Sequence, residues 1–547
     1  MLLGYKHRLT LVQIVFGLIF IIIFVQLFNI QIIKSKQIIL EAKKQFYKPE
    51  IFLRGEIRDR NGKLLVLDLI TYDIYNNVTD LKKISNEKIL SLSKILNCTE
   101  NDLFKKLNQK KDTRLFLNIS EKTANQIKKI KASFVYLVPK VTRAYPNKRL
   151  ASQIIGFVNN DHKAQHGIEY YHDNLLTKLT QSKNFFEPFP KGTDIVLTLD
   201  SILQEYAEEE LNKAVKESKA NKGAIIILSP KTGEIYAWAV YPDFNPALFF
   251  KEKSLKNWSI TDIYEAGSTF KIVTVASALE NMVIQKDSTF YDPSFLKVGK
   301  RTIKNHHKNK PQYITLLELF KQSSNVASAQ VALLMDPEMF YSSIKKFMIG
   351  TKTNIDLPGE SNGLLLDYKK WRTIDLATTA FGQGAVSLTP IQLACAVSSI
   401  ANHGLWVQPH LLKGIWNPNY EVIENSPYKP VVQEVVSRDT ADFVSGLLKQ
   451  SVKENLAAMA YIGGNVPGYD VAGKTGTAQK IRPDGKGYWG GHTVASFIGY
   501  FPADDPEVLA LVVVDDPKTG GGWGNTICGP VFNNIANITV KRILKNR

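Results

Sequence analysis

Residues 264–280 read YEAGSTFKIVTVASALE. Past Gly267 the run is apolar on almost every side of a helical wheel, yet it opens with Ser268 and Lys271, three residues apart. A helix without a polar face is a buried helix, and a buried ammonium is costly unless it finds a partner or gives up its proton. Positions i and i+3 share one helix face. Burial lowers a lysine's pKa and leaves a neutral amine able to take a serine's proton. The helix start also leaves backbone N–H groups free to face an oxyanion. The stretch predicts a serine nucleophile and its lysine base at the head of a buried helix.

S-x-x-K alone decides little. It recurs at Ser85/Lys88, Ser91/Lys94, Ser342/Lys345 and Ser343/Lys346, in lysine-rich stretches that read as solvated helices. Context separates the rest of the set in the same way. Lys-Thr-Gly occurs at 231–233 in a hairpin turn and at 518–520 in a glycine-rich loop. At Lys474-Thr475-Gly476 it lies within YDVAGKTGTAQK, which reads as a strand continued by Thr477. A strand edge with a lysine, two hydroxyls and a glycine that admits close backbone approach suits an anionic ligand. Ser-x-Asn occurs in the polar run Ser182–Asn184 and again as Ser323-Ser324-Asn325, beside the apolar VASAQVALL. The ordered set is Ser268/Lys271, Ser323/Asn325 and Lys474-Thr475-Gly476.

The remaining sequence bounds the architecture. Of 547 residues, 44% are apolar and 22% charged, the balance of a globular chain with two to four cores. Three cysteines, far apart, predict neither a zinc site nor a disulfide framework. Leu9–Ile33 carries no charge and is long enough to span a ~30 Å hydrocarbon core. Lys6 and Arg8 precede it while Lys34 and Lys36 follow, so flanking charge does not set its orientation. The net charge of +18 is concentrated between Lys34 and Pro190, with 29 Lys and Arg against 16 Asp and Glu. Beside a span, that excess reads as a solvated basic face or as attraction to an anionic membrane. No helix-turn-helix, zinc-finger or RNP-type pattern supports nucleic-acid binding. Asn61-Gly62 marks a hairpin, Lys-rich helices are expected near 84–96 and 119–131, and a polar helix over Ser201–Ser218 leads into two apolar strands. The expected organisation is a tail (1–8), an anchor (9–33), a basic membrane-proximal module (34–190) and a larger α/β module (191–547).

The three ordered motifs resemble those of the penicillin-recognising serine enzymes, S-x-x-K, S-x-N and K-T-G. The likeness extends to RGEIRDRNG (54–62), GIEYYHDNLL (167–176), GAIIILSPKTGEIYAWA (223–239), IDLPGE (355–360) and TAFGQGAVSLTPIQLA (378–394), which resemble stretches of class B penicillin-binding proteins. VAGKTGTAQK and SFIGYFPADDPEVLALVVVDDP (496–517) are most similar to the division-specific FtsI type. Ala266 departs from the family, which usually has proline there, and is expected to loosen the loop before Ser268. The resemblance implies an α/β (α+β) fold: a transmembrane helix, an elongated pedestal (the dimerisation module), and a transpeptidase domain with a central antiparallel sheet flanked by helices. It implies that Ser268 attacks the peptide bond between two terminal D-alanines of a cell-wall stem peptide and that Lys271 takes its proton. Ser323 relays a proton to the leaving amine, and Asn325 holds Lys271 and the substrate backbone. Lys474, Thr475 and Thr477, with Gly476 between them, hold the terminal carboxylate, and the N–H groups of Ser268 and Thr477 form the oxyanion hole. No metal or organic cofactor is implied. The implied partners are stem peptides, β-lactams, the cell membrane, a SEDS-type glycosyltransferase and division proteins, and the implied location is the plasma (inner) membrane, single-pass, with the catalytic domain outside the cytoplasm. The alternatives are an elongation-specific transpeptidase, a carboxypeptidase or β-lactamase-type hydrolase, and a division scaffold without catalysis. A class A β-lactamase places a water-activating glutamate in E-x-x-L-N; the one such stretch, Glu208–Asn212, lies before Ser268 in what reads as a solvated helix.

Overall fold

The structure, a computed structural model, describes residues 2–29, 52–109, 111–178, 190–306, 310–417, 421–425, 427–458, 463–482, 484–485 and 487–545. It divides into two units, one of residues 1–52 and 185–190 and one of residues 53–184 and 191–547. In the first, Leu2–Phe28 forms one α-helix. Its side chains are described from Val15 on, and they are exposed apolar groups such as Phe16, Phe20 and Phe24. Among the described residues no helix is long and apolar enough to cross a membrane, and residues 30–33 of the expected anchor lie outside the described ones.

The second unit is built on a five-stranded antiparallel sheet in the order 472–481, 488–501, 508–515, 222–228, 235–241. Both of its faces are buried, which is why GAIIIL reads as unbroken apolar sequence. Ile225 and Ile227 pack with Leu203, Leu211, Phe532 and Ile535, from the helices Ser201–Ser218 and Gly524–Thr539. Ala224, Ile226 and Leu228 face the larger cluster that holds the helices Lys271–Glu280 and Pro390–Ala401. Glu208 is a correction to the sequence reading. It is only partly exposed, accepts hydrogen bonds from the Ala151 N–H (2.7 Å) and from Gln204 Nε2 (2.8 Å), and burial raises its pKa to about 7.

A second sheet ties the N-terminal module to the rest. Its order is 422–425, 412–416, 194–197, 57–58, 64–76, 114–120, with 135–144 also paired to 64–76. Ile57 and Arg58 run parallel to Ile195 and Val196, and strand 412–416 pairs on the other side of 194–197. The stretch around RGEIRDRNG is this junction. A Cβ on Gly55 would fall 1.7 Å from the Thr193 carbonyl oxygen, so only glycine fits. Asp59 accepts the N–H groups of Asn61 and Lys63 across the Asn-Gly turn and the hydroxyl of Ser201. Arg54 and Arg143 close on Glu169, at 2.9 and 2.6 Å, all three being at most 2% exposed. Removing one partner of a buried ion network strands the others. Glu169→Ala is therefore expected to lower stability by about 3–5 kcal/mol, read as a lower urea midpoint; a loss below about 1 kcal/mol would show that water reaches both guanidinium groups.

Candidate active site

Gly267–Phe270 is a 3₁₀ turn that feeds the α-helix Lys271–Glu280. Ser268 lies in the turn and Lys271 begins the helix three residues on, so the two share one face. Gly267 has φ +62°, and a Cβ there would lie 3.0 Å from the Thr477 carbonyl oxygen. The turn is thereby pressed against the Lys-Thr-Gly strand. Ala266 has φ −69°, the value a proline would impose. Other contacts also hold this loop. The Gly267 N–H donates to the Gly382 carbonyl, the Thr269 hydroxyl to the Ala266 carbonyl, and Glu265 accepts from the Gly384 N–H and the Tyr488 hydroxyl. Burial raises the Glu265 pKa to about 7.

Lys271 is wholly buried. Its Nζ lies 2.6 Å from the Ser323 carbonyl oxygen, 2.9 Å from Asn325 Oδ1 and 3.1 Å from Ser323 Oγ. Lys474 Nζ reaches the same hydroxyl at 3.0 Å. Ser323 Oγ thus bridges two buried amines. Burial first, then the neighbouring Lys474, pushes the Lys271 pKa well below the ordinary lysine value, with Asp292 pulling weakly the other way. Burial alone brings Lys474 down to about 7. Ser268 is half-buried, and among the described residues its hydroxyl has no hydrogen-bond partner. In this state the lysine amine rests on the second motif, not on the serine.

The second motif is held in an uncommon geometry. Ser323 ends the helix Leu316–Gln322 in the left-handed region, φ +53°, a conformation that a non-glycine residue keeps only when its surroundings over-determine it. Ser324 caps the next helix, Asn325–Leu333, by accepting from the Ala327 N–H. Two residues that sequence reasoning missed supply the support. Asp292, 2% exposed, accepts from the Ser324 hydroxyl and from Asn305 Nδ2. Asn305 Oδ1 accepts the N–H groups of Asn325 (2.9 Å) and Val326 (3.1 Å).

Lys474, Thr475, Gly476 and Thr477 lie on the strand Ala472–Ile481, at the open edge of the five-stranded sheet. A Cβ on Gly476 would come within 2.3 Å of Ser496 Oγ and 3.0 Å of Thr269 Cγ2, so its glycine is what lets the strand lie against the serine's turn. Lys474 Nζ also donates to the Thr475 carbonyl (3.1 Å), and Thr477 Oγ1 accepts the Gly524 N–H (3.2 Å), leaving the Thr477 hydroxyl proton free to donate. The set-aside copies lie elsewhere in other roles. Lys231 pairs with Asp505 and Glu507, Lys518 pairs with Asp516, and Ser182–Asn184 lies outside the described residues.

Comparison with known proteins bears on the whole chain. Residues 223–537 match the penicillin binding protein transpeptidase domain, and residues 52–184 the penicillin-binding protein dimerisation domain. The chain is 32% identical to stage V sporulation protein D of Bacillus subtilis, across 97% of this chain and 85% of that one. It is 30% identical to the peptidoglycan D,D-transpeptidase FtsI of Buchnera aphidicola, across 98% and 94%. The structure of penicillin-binding protein 3 from Mycobacterium tuberculosis complexed with aztreonam superposes with a TM-score of 0.70 at 26% identity, covering 89% of this chain and 96% of that one. Motifs, fold and relatives agree, and the chain belongs to the penicillin-binding protein transpeptidase family.

Proposed function

We infer that the protein is a serine-type peptidoglycan D,D-transpeptidase that cross-links stem peptides and is a target of β-lactams, and that Ser268 is its nucleophile. The observation that carries this reading is the convergence of Lys271 and Lys474 on Ser323 Oγ, with the Lys474 strand packed against the turn that bears Ser268. Lys271, neutral because buried, takes the Ser268 proton as Oγ bonds to the carbonyl carbon of the penultimate D-alanine. The N–H groups of Ser268 and Thr477 hold the oxyanion. As the C–N bond breaks, Ser323 passes a proton from Lys271 to the leaving terminal D-alanine. Asn325 fixes Lys271 and the substrate backbone, while Lys474, Thr475 and Thr477 hold the terminal carboxylate across Gly476. The amine of a neighbouring stem peptide then attacks the acyl-enzyme and restores Ser268. No metal or organic cofactor takes part.

The helix Leu2–Phe28, with the apolar run that continues to Ile33, is read as a single-pass anchor. It leaves 1–8 in the cytoplasm and places the pedestal (34–190) and transpeptidase domain (191–547) outside the plasma membrane. Glycan polymerisation then falls to a SEDS-type partner, and the likeness to FtsI favours septal over elongation synthesis.

Transfer is separated from hydrolysis by the fate of the acyl-enzyme. Glu208 lies on a helix that packs against the sheet face opposite the one covered by Lys271–Glu280, so it cannot activate water at Ser268. Penicillin bound at Ser268 is expected to persist for many minutes in a chase with unlabelled drug, without catalytic nitrocefin hydrolysis. Turnover within seconds would favour the hydrolase.

A further inference from the structure

Between the helices Lys271–Glu280 and Leu316–Gln322 the chain forms two strand pairs, 289–292 with 312–315 and, nested inside it, 295–298 with 301–304. The inner hairpin carries Lys297, Lys300, Arg301 and Lys304, all exposed, and no Asp or Glu occurs from Pro293 to Lys304. Among the described residues none of the four forms a salt bridge; elsewhere in the same unit some surface lysines, such as Lys231, Lys321 and Lys449, are paired with carboxylates. Asp292, just before the hairpin, is turned inward onto Ser324 and Asn305. The outer pair exposes Tyr291 and Tyr313, cross-strand neighbours with ring centroids 5.2 Å apart and 47% and 73% exposed. The hairpin is also wired to the catalytic residues. The Lys304 carbonyl accepts from Asn325 Nδ2 (3.1 Å), and Asn305 holds the N–H groups of Asn325 and Val326. An uncompensated cationic finger with an aromatic base therefore rises from the rim of the site at its second motif.

We propose that this hairpin is a docking surface for the uncross-linked peptidoglycan strand: free carboxylates of successive stem peptides meet Lys297, Lys300, Arg301 and Lys304, and the amphipathic faces of Tyr291 and Tyr313 take sugar or peptide. The proposal rests on the transpeptidase reading and extends it from the scissile bond to the polymer that carries it. Each exposed ion pair is worth little alone, but repeated carboxylates on one chain engage several cations together, and the field of an unpaired cluster draws an anionic polymer toward the adjoining cleft.

The test uses the full-length protein and its Lys297→Gln/Lys300→Gln/Arg301→Gln variant, whose altered side chains are exposed and outside any ion pair. Binding is measured to soluble uncross-linked strands with free carboxylates, to the same strands with those carboxylates amidated, and to vesicles of anionic phospholipid. The variant should bind free-carboxylate strands about ten-fold more weakly at low salt. The parent should lose that advantage as ionic strength approaches about 0.3 M and should bind amidated strands no better than the variant does. Equal binding by parent and variant, equal binding of amidated and free strands, or an effect confined to the vesicles would overturn the proposal. Covalent labelling of the parent by fluorescent penicillin reports on Ser268 alone, so failure of the active-site reading gives a different result from failure of this one.

Discussion

Ser268→Ala is expected to abolish covalent labelling by fluorescent penicillin altogether, while the protein keeps its fold. The substitution removes one half-buried hydroxyl that has no hydrogen-bond partner among the described residues, so stability should change by less than about 1 kcal/mol. The chemistry is affected absolutely, because no other hydroxyl in the site can substitute. Ser323 Oγ is close by but lies between Lys271 and Lys474, on a backbone in the left-handed region that fixes its direction. Labelling that survives in Ser268→Ala and disappears in Ser342→Ala would move the nucleophile to one of the surface S-x-x-K pairs.

Lys271→Arg should cost acylation nearly as much as Lys271→Ala, on the order of 10²–10⁴-fold for loss of a general base. Charge alone cannot rescue the site, since arginine stays protonated and the cavity that holds the amine already faces the Lys474 side chain. The same argument sets the pH dependence. Both lysines titrate below their usual value, Lys271 because of burial and then Lys474, and Lys474, near about 7, because of burial. At low pH both amines are protonated and the base is missing. As pH rises Lys271 becomes available as the base and acylation increases; once Lys474 has lost its proton, at about 7 and above in the free enzyme, the cation for the ligand's carboxylate is lost. Two amines sharing one hydroxyl titrate as a pair, and a bell-shaped second-order rate constant for penicillin labelling is the expected result. An arginine variant within a few-fold of the parent, or a rate independent of pH between about 5 and 9, would remove Lys271 from the role of base.

The reactive groups were legible because each motif is local: three or four residues, read with their flanks, contain the chemistry. The helix Ser201–Ser218, the turn at Asn61-Gly62 and the strand through Lys474 were legible from periodicity and turn residues for the same reason. The supports were not. Asp292 and Asn305 lie in a lysine-rich hairpin with no periodic signal, and they meet Ser324 and Asn325 only after the chain has folded back. Glu265 is adjacent to the first motif, yet its partner Tyr488 is more than two hundred residues away. Glu208 was misread because its helix carries many charged residues, while its own position faces the Ala151 N–H. The division at residue 190 marks a change in sequence texture, but strand 194–197 belongs to the same sheet as 57–58 and 412–416.

That shared sheet has a mechanical side. Leu53 bridges Lys191 in parallel, the Gly192 N–H donates to the Leu53 carbonyl, the Ile195 N–H donates to the Glu56 carbonyl, and Ile57 and Arg58 continue the alignment with Ile195 and Val196. Two segments lashed side by side and pointing the same way meet a pull along the chain as shear, with several hydrogen bonds loaded together, whereas a hairpin opened from its ends yields them one at a time. Tension arriving through the residues before Leu53 is passed sideways into strand 194–197 and on to 412–416, which makes the junction a splice that shares the pull rather than a hinge.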